Sequence, residues 1–307
     1  MASGYSTFNL PDGAKLAYEI LGAYHLAMRT TPIVLVCGMS SVRIDYERLA
    51  ASLVKTRPVL LYDHRGMGDS MLVPTEDEDL TIELLARDLV ALLTYLEWKE
   101  VAVVGYSMGG VIAQQMLLLR HHPHTPTTLP FRVTHLFLAG TRSVVVRTAG
   151  LPVAPPPPSG IRITEEKITT VRRVLGSLVD PTWIEANGPR FDVLFRRAIN
   201  PTIKRSPMLI AKQGAALQKF DFVNLIHKLP QDIQIMVIHG HLDQVIPFHC
   251  GEEILNYIPQ ARLVETGTVP GQVPSLDFGH FWYEYFDIQV WHDVINNFMN
   301  GYNSCET

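Results

Sequence analysis

Apolar and polar positions along this chain alternate between short buried runs and longer amphipathic stretches. Residues 6–10 and 15–21 flank an Asp-Gly turn, which predicts an antiparallel hairpin at the start of the fold. Residues 32–37 form a continuous apolar run, which is typical of a central strand that is buried on both faces, and residues 59–62 and 101–104 also predict short buried strands. Further strands are predicted at residues 133–139, 233–239 and 261–265.

The stretches between these runs have the periodicity of amphipathic helices. Residues 80–98, for example, carry leucines at positions that share one helical face. Further helices are predicted over residues 43–55, 111–119 and 283–299. Strands that alternate with helices predict an α/β fold, in which a mostly parallel sheet is covered by helices on both faces.

One long segment interrupts this alternation. Residues 142–230 separate two strands that should be neighbours, and they contain a proline-rich stretch at 152–158 that favours extended polyproline II. Helical patterns follow at residues 165–178, 182–199 and 206–219. The segment is therefore predicted to be a helical lid. The expected organisation is a first part of the core at 1–141, the lid at 142–230, and a second part of the core at 231–307.

The strand at 101–104 leads directly into the sequence Gly105-Tyr106-Ser107-Met108-Gly109. A G-x-S-x-G pattern between a strand and a helix is the setting of a nucleophile elbow. We expect Ser107 to have a strained backbone conformation there. The flanking glycines would let the strand and the helix approach closely, because a Cβ atom at either position would clash.

A serine nucleophile requires a base, and the base requires a carboxylate that orients it. Both groups should follow strands, because catalytic groups sit at the carboxyl ends of parallel strands. Asp243 is the only carboxylate in the loop after the strand at 233–239, and His280 precedes the last helix. We therefore predict a triad of Ser107, Asp243 and His280.

Other residues could fill these roles less well. Asp277 is the chief rival to Asp243, but it lies only three residues from His280, and no carboxylate follows Thr141 at the other strand end where such an acid can sit. The competing histidines either precede the acid in the chain or fall within predicted helices. They are His64, His241, His249 and His292.

An oxyanion hole requires two backbone N–H groups that point at the developing negative charge. Met108 directly follows the nucleophile at the start of a helix, and Met39 lies in the loop after the strand at 32–37. We predict that these two amides form the hole. Met39, Met108, Phe281 and Trp282 could give the site an apolar lining, although for Trp282 a role in the core is equally compatible with the sequence.

Composition and charge exclude several classes of protein. Of the 307 residues, 47% are hydrophobic and 18% charged, and the net charge of −4 offers no basic surface for nucleic acid. No apolar run approaches the length of a membrane span, and residues 1–7 do not resemble a signal peptide. Three cysteines suit neither a paired disulfide framework nor a zinc site. A cytoplasmic location is expected.

Four motifs carry a resemblance to the α/β-hydrolase superfamily. They are Gly-Tyr-Ser-Met-Gly-Gly at 105–110, Asp-His-Arg-Gly-Met-Gly-Asp-Ser at 63–70, His-Gly-His-Leu-Asp-Gln-Val-Ile-Pro at 239–247, and Gly-His-Phe at 279–281. The chain most resembles the capped members: 3-oxoadipate enol-lactonase-like hydrolases, arylesterases, and C–C bond hydrolases of aromatic breakdown. The likeness runs over residues 10–298 and is weakest at 142–207. Residues 212–221 are similar to the end of the lid in that group.

The chain departs from the family pattern in two places. Cys37-Gly38 stands where the family usually has His-Gly, so a hydrogen bond that normally braces the oxyanion loop is expected to be missing. Residues 268–277 lengthen the loop that carries His280. Cys37 is expected to be a small buried residue rather than a second nucleophile. Serine at the elbow argues against dehalogenases and epoxide hydrolases, which use aspartate there.

The resulting interpretation is a serine hydrolase that cleaves a small or medium apolar ester or lactone through an acyl-enzyme. The resemblance implies no metal and no organic cofactor. One alternative uses the same triad to cleave a C–C bond in a vinylogous diketone. The other is a ligand receptor on the same fold, since fold alone does not fix function.

Overall fold

One mixed sheet organises the chain. The computed structural model describes residues 4–73, 79–145, 165–200 and 202–301. Within these residues eight strands pair in the order β1-β2-β4-β3-β5-β6-β7-β8. The strands are β1 Ser6–Asn9, β2 Lys15–Leu21, β3 Ile33–Val36, β4 Val59–Tyr62, β5 Glu100–Tyr106, β6 Arg132–Ala139, β7 Gln234–Ile238 and β8 Ala261–Leu263.

The direction of the strands agrees with the expected fold class. The hairpin of β1 and β2 is antiparallel, and β2 also runs antiparallel to β4. The pairs from β4 through β3, β5, β6 and β7 to β8 are all parallel. The carboxyl ends of these parallel strands therefore meet at one edge of the sheet, where the loops with candidate catalytic residues begin.

Helices cover both faces of the sheet. They are α1 Glu47–Leu53, α2 Ile82–Tyr95, α3 Met108–Leu118, α4 Glu165–Leu178, α5 Pro181–Ala186, α6 Gly188–Ile199, α7 Pro207–Ala216, α8 His249–Tyr257 and α9 Ile288–Met299. Alternate residues of β3 enter different cores: Val34 and Val36 pack with α2, α3 and α8, while Ile33 and Leu35 pack with α1 and α9. Both faces of β3 are thus buried, as its continuous apolar pattern predicts.

Several predicted helices have different bounds in the structure, and three of them have a clear local cause. The helix predicted at 43–55 starts as a 3₁₀ turn, Arg43–Tyr46, before α1. The helix predicted at 182–199 is two helices, because Pro189 near the start of α6 has no N–H to continue the hydrogen bonding of α5. The last helix begins five residues later than predicted, at α9, whose N-cap Asp287 accepts a hydrogen bond from the Gln289 N–H.

Helices α4 to α7 follow β6 and precede β7, where the sequence predicts a helical insertion. The helices predicted at 165–178 and 206–219 correspond to α4 and α7. The proline-rich stretch at 152–158 lies outside the described residues. In the described ranges, none of the helices is both long and apolar enough to cross a membrane.

The crossing of α3 and β3 requires a glycine. A Cβ atom added at Gly109 would lie 2.0 Å from the carbonyl oxygen of Val36, which belongs to the backbone and cannot move aside cheaply. The first turn of α3 is therefore packed directly against the end of β3. By contrast, a Cβ atom at Gly176 in α4 would have only the Ile184 Cδ1 atom nearby, at 4.0 Å.

The same substitution should therefore have opposite effects at these two glycines. We expect Gly109→Ala to lower the free energy of unfolding by at least about 2 kcal/mol, because it overpacks the contact between backbones. Gly176→Ala should raise it by about 0.5 kcal/mol, because alanine loses less backbone entropy in a helix. Urea denaturation measures both values. A Gly109→Ala protein as stable as the wild type would show that this contact is not tight.

Candidate active site

Ser107 connects β5 to α3 in a backbone conformation that is unusual for a residue with a side chain. Its φ and ψ angles are 54° and −121°, as expected for a strained nucleophile elbow. Two neighbours hold it there: the Ser107 N–H donates to the Ala139 carbonyl at 2.9 Å, and the Thr141 hydroxyl donates to the Ser107 carbonyl at 2.6 Å. The end of β6 thus fixes the elbow on both sides.

The glycines around Ser107 make this turn possible. A Cβ atom at Gly105 would lie 2.6 Å from the Gly110 Cα atom, so the strand and the helix meet backbone to backbone. On the neighbouring strand, a Cβ atom at Gly38 would lie 3.2 Å from the Ser107 Cβ atom. The loop after β3 therefore lies directly beside the serine.

Asp243 and His280 form a buried pair. The His280 Nδ1 atom lies 2.7 Å from Asp243 Oδ2, and both residues are at most 7% exposed. Asp243 Oδ1 accepts hydrogen bonds from the N–H groups of Val245 and Ile246, both at 2.9 Å. One carboxylate oxygen is thus fixed by the backbone, and the other is left to orient the imidazole.

The electrostatics of Asp243 keep it ionised. Burial alone would raise the pKa of its carboxyl group. Interactions with the His280 imidazole and with the His239 ring, whose Nε2 atom lies 3.5 Å from Oδ2, outweigh that effect and hold the pKa of Asp243 well below its ordinary value. An ionised carboxylate in this position can accept a hydrogen bond from Nδ1–H, which leaves the Nε2 atom of His280 free to act as a base.

The loops that carry this pair are joined to each other through their backbones. The His241 and Leu242 N–H groups donate to the carbonyls of Leu276 and Phe278, at 2.8 and 3.2 Å. A Cβ atom at Gly240 would lie 1.9 Å from the Phe278 carbonyl oxygen, so only glycine permits this approach. Asp243 and His280 are therefore held in register by their own loops.

The rest of the lengthened loop folds back on itself and carries Asp277 away from His280. Val273 donates its N–H to the Glu265 carbonyl and accepts from the Gly267 N–H, both at 2.9 Å. The Asp277 side chain is 67% exposed and lies 3.6 Å from the exposed His241 ring. The structure brings Asp243 to His280 and leaves Asp277 at the surface.

Two residues at the end of β6 lie between the serine and the acid–base pair. Gly140 has a φ of 49°, and a Cβ atom there would lie 3.2 Å from His280 Nδ1 and 3.4 Å from Asp243 Oδ2. The adjacent Thr141 binds the Ser107 carbonyl. The Tyr106 ring, just before Ser107, has its centroid 5.0 Å from that of His280. Among the described contacts the Ser107 hydroxyl makes no hydrogen bond to His280; such bonds often tighten only when substrate binds.

The predicted oxyanion loop follows β3 and is braced by residues that the sequence reasoning missed. The His64 Nε2 atom lies 2.9 Å from the Cys37 carbonyl oxygen, and the Gly38 N–H donates to the Tyr46 hydroxyl at 3.1 Å. Cys37-Gly38 therefore replaces the usual His-Gly without leaving the loop unsupported. The position of His64 in the 63–70 motif is the feature of the sequence that could have indicated this role.

The two predicted donors lie beside the serine. Met108 is the first residue of α3, where backbone N–H groups have no partner within the helix. The Met39 N–H, in the loop next to Ser107, has no hydrogen-bond acceptor among the described residues. Both amides are available to a negatively charged oxygen.

Asp63, the first residue of that motif, ties the hairpin to the oxyanion side of the sheet. Its carboxylate accepts from the Arg43 and Asp69 N–H groups, at 2.7 and 3.0 Å, and pairs with the Arg43 guanidinium. The Asp63 carbonyl accepts from the Ser70 hydroxyl at 2.7 Å, and that hydroxyl accepts from the Ala17 N–H at 2.8 Å. The motif is a structural anchor of the loop before α1.

The two predicted pocket residues occupy different environments. Phe281 is half-buried, and its ring centroid lies 6.2 Å from that of Tyr106, the residue before the serine. Trp282 is 1% exposed and packs edge-on against Trp291 of α9, with ring centroids 4.7 Å apart. This packing favours the core role for Trp282, one of the two roles that the sequence allows.

Among the described residues, neither Cys37 nor a cluster of metal-binding side chains provides a second reactive site. Burial raises the pKa of the Cys37 thiol well above its ordinary value, so this buried, free cysteine is a poor nucleophile. Across the ranges that the structure describes, no three His, Cys, Asp or Glu side chains are grouped so that they could hold a metal ion.

Comparisons of sequence agree with this geometry. The model of the Alpha/beta hydrolase family matches residues 33–277. The chain is 24% identical over 229 residues to the protein named "Putative carbamate hydrolase RutD" of Pseudomonas syringae, and the alignment covers 69% of this chain and 75% of that protein. It is 32% identical over 106 residues to a proline iminopeptidase of Lactiplantibacillus plantarum, which covers 33% of this chain and 35% of the relative.

Comparisons of structure extend over almost the whole chain. The enol-lactonase from Burkholderia xenovorans LB400 aligns with a TM-score of 0.69 and 20% identity, covering 97% of this chain and 100% of that one. A meta-cleavage product hydrolase from Pseudomonas fluorescens IP01 aligns with a TM-score of 0.71 and 18% identity, covering 97% and 98%. At this level of identity the likeness concerns the fold.

The brace by His64 should make stability depend on pH. Burial lowers the pKa of His64 from 6.5 to about 4, although its hydrogen bond to Cys37 opposes the shift. Between pH 6.5 and pH 4, His64 is protonated in the unfolded chain but stays neutral in the folded chain. Stability should therefore fall as the pH drops from about 6.5 to 4, by up to about 3 kcal/mol for this group.

The His64→Gln variant lacks this titration. Its free energy of unfolding should change less than that of the wild type between pH 7 and pH 4, because all other titrating groups are common to both proteins. Urea titrations at several pH values measure the two slopes. Parallel curves for the two proteins would contradict a buried, neutral His64.

Proposed function

This chain belongs to the alpha/beta hydrolase family, which supports a hydrolytic role, and we propose that it is a serine hydrolase with an acyl-enzyme intermediate. Its substrate would be a small or medium apolar carboxylic ester or lactone. The observation that carries the proposal is the buried contact between His280 and Asp243, at 2.7 Å, beside a serine in strained elbow geometry.

In the first step the Ser107 hydroxyl oxygen attacks the carbonyl carbon of the substrate. His280 takes the hydroxyl proton on Nε2, because its Nδ1 proton is held by Asp243. The ionised Asp243 stabilises the imidazolium that forms. The Met39 and Met108 N–H groups donate to the negatively charged oxygen of the tetrahedral intermediate.

The intermediate collapses when the C–O bond of the ester breaks. His280 returns its proton to the leaving oxygen, and the acyl group remains on Ser107. A water molecule then attacks the acyl carbon and gives its proton to His280, and a second tetrahedral intermediate releases the acid and restores the serine. In a lactone the leaving oxygen and the acyl group belong to one molecule, so a single hydroxy acid leaves.

The helices α4 to α7 would form the lid of this site, as part of the segment 142–230. Two contacts support that role: the Phe281 N–H, next to His280, donates to the Leu178 carbonyl at 2.8 Å, and the Tyr285 hydroxyl donates to Asp180 at 2.6 Å. On the oxyanion side, Leu209 of α7 packs with Val42 and Met67. Apolar side chains at this junction favour an apolar substrate.

The covalent step has a direct test. A fluorophosphonate probe should add once to the wild type and not to Ser107→Ala. The same variant should lose ester turnover by about 10⁴-fold or more, because removal of a triad nucleophile leaves only binding and the oxyanion hole. Mass spectrometry of the labelled peptide identifies the site, and labelling that persists in Ser107→Ala would refute the assignment.

The substrate class requires a panel run with the wild type and Ser107→Ala side by side. It should contain p-nitrophenyl esters of short and long acids, small lactones, a phenyl carbamate and a vinylogous diketone. We expect the highest kcat/KM among the esters or lactones. A preference for the diketone would favour C–C bond cleavage, and a protein that binds ligands but turns over none of them would favour the receptor.

The assignment of the acid can be tested with a matched pair of substitutions. Asp243→Asn should lower kcat by about 10⁴-fold, since the imidazole loses the group that fixes its tautomer. Asp277→Asn should stay within about twofold of the wild type, because its side chain is 67% exposed and is paired with the exposed His241 ring rather than with His280. Circular dichroism checks that both variants are folded. The opposite ranking would move the role of the acid to Asp277.

A further inference from the structure

The peptide groups on either side of Ser40 are held by two residues of the helical segment. The Ser40 N–H donates to Gln213 Oε1 at 2.9 Å, and the Ser40 carbonyl accepts from the Arg205 guanidinium. Gln213 lies in α7, and Arg205 lies just before that helix. Ser40 directly follows Met39, one of the two proposed oxyanion donors.

Ser40 needs such support because its backbone is unfavourable. Its φ angle is 62°, in the left-handed region that residues with a Cβ atom seldom adopt. A conformation of this kind persists only where neighbouring contacts hold it. The turn contributes one bond of its own, from the Ser41 N–H to the Gly38 carbonyl at 3.3 Å.

Gln213 is positioned to accept the hydrogen bond from the Ser40 N–H. It is completely buried, and its Nε2 atom has no hydrogen-bond partner among the described residues. Because an N–H donor needs an acceptor, the amide must turn its oxygen toward Ser40. A buried glutamine with one of its two ends unpaired is costly, so its presence calls for an explanation beyond packing.

Arg205 holds the other side of Ser40 through a charged network. Its guanidinium makes two hydrogen bonds to the Asp45 carboxylate, at 2.8 and 3.0 Å, in addition to the bond to the Ser40 carbonyl. Asp45 in turn accepts from the Val42 N–H at 2.9 Å. The two parallel bonds to Asp45 fix the plane of the Arg205 guanidinium, so this group cannot easily follow a shift of the loop.

These contacts determine the direction of the Met39 amide. On one side the Gly38 N–H is held by the Tyr46 hydroxyl, and on the other the Ser40 N–H is held by Gln213. The Met39 N–H lies between two fixed amides and has no acceptor among the described residues. Loss of the bond at Ser40 would let the loop relax toward an ordinary φ angle and turn the Met39 N–H.

We propose that Gln213, assisted by Arg205, is a positioning residue for the oxyanion hole, so that the docked lid segment sets the geometry of the Met39 amide. The inference rests on the proposed function for its effect on turnover. Its structural part, the hold on Ser40, is independent of any substrate.

The experiment compares three substitutions and one rescue. Gln213→Met removes the acceptor with little change in volume, and Gln213→Glu keeps an acceptor oxygen. Arg205→Met removes the hold on the other side of Ser40. Arg197→Met is the matched control. Arg197 also lies in the helical segment and also binds the core, through the Ile44 carbonyl and the Glu47 carboxylate.

Hydrogen–deuterium exchange of a peptide covering residues 37–42, which contains Ser40 and ends before Ile44, reports the hold on Ser40 without substrate. We expect exchange in this peptide to rise about tenfold in Gln213→Met, the usual size of a lost buried hydrogen bond, and to rise also in Arg205→Met. Arg197→Met and Gln213→Glu should stay close to the wild type. Melting temperatures identify any variant that is unfolded. If Gln213→Met does not fold, exchange of the same peptide in Arg205→Met tests the hold on Ser40.

Turnover of the preferred ester tests the consequence for catalysis. In Gln213→Met kcat should fall about 10- to 100-fold while KM stays within about threefold, because a misplaced donor weakens the transition state more than the bound substrate. Gln213→Glu should recover kcat to within about fivefold of the wild type. A purely structural role would lower the melting temperature without this split between kcat and KM.

Two results would overturn the inference. Unchanged exchange in both Gln213→Met and Arg205→Met would show that these side chains do not hold Ser40. Raised exchange with an unaltered kcat would show that the hold does not serve the oxyanion hole. If the wild type itself has no turnover that depends on Ser107, the proposed function fails, and the exchange data still decide whether Gln213 positions the loop.

Discussion

The site depends on one steric constraint, the direct contact of the α3 backbone with the ends of β3 and β5. Gly105, Gly109 and Gly110 each lack the Cβ atom that would strike a neighbouring backbone or the Thr141 side chain. This approach forces the positive φ angle of Ser107 and lifts its side chain at the carboxyl edge of the sheet. It also brings the start of a helix, with its unpaired N–H groups, beside the loop that carries Met39. The proposed nucleophile and the proposed oxyanion donors are thus products of the same packing.

The proposed acid and base, Asp243 and His280, depend on a second close approach, between the loops after β7 and β8. Gly240 admits the Phe278 carbonyl, and two backbone hydrogen bonds join the loops near it. Asp243 is held by backbone donors of its own loop, so its position does not depend on the inserted helices. The carboxylate stays ionised because interactions with His280 and His239 outweigh the cost of burial.

The sequence predicts the parts of this site that arise from local patterns. The apolar runs predict the strands, the glycine spacing predicts the elbow, and the position after a strand separates Asp243 from Asp277. The first residue of a helix is less predictable where the structure just before it is set by contacts outside the local pattern. Arg43 bonds to Asp63 before α1, and Phe286 takes a φ angle of 62° before α9. Trp282 could not be assigned from its neighbours in the chain, because its environment is decided by Trp291 on another helix.

Contacts between distant segments carry no local pattern, and the braces of the oxyanion loop are of this kind. Ser40 and Gln213 are 173 residues apart, and Ser40 and Arg205 are 165 residues apart. These bonds can form only when the inserted helices are docked on the core. Since Ser40 has a strained backbone, docking of the helices must supply the energy that keeps the loop in shape. The Asp243–His280 pair is assembled by the core, whereas the proposed oxyanion loop is completed by the insertion, so the two halves of the proposed site are coupled to different parts of the fold.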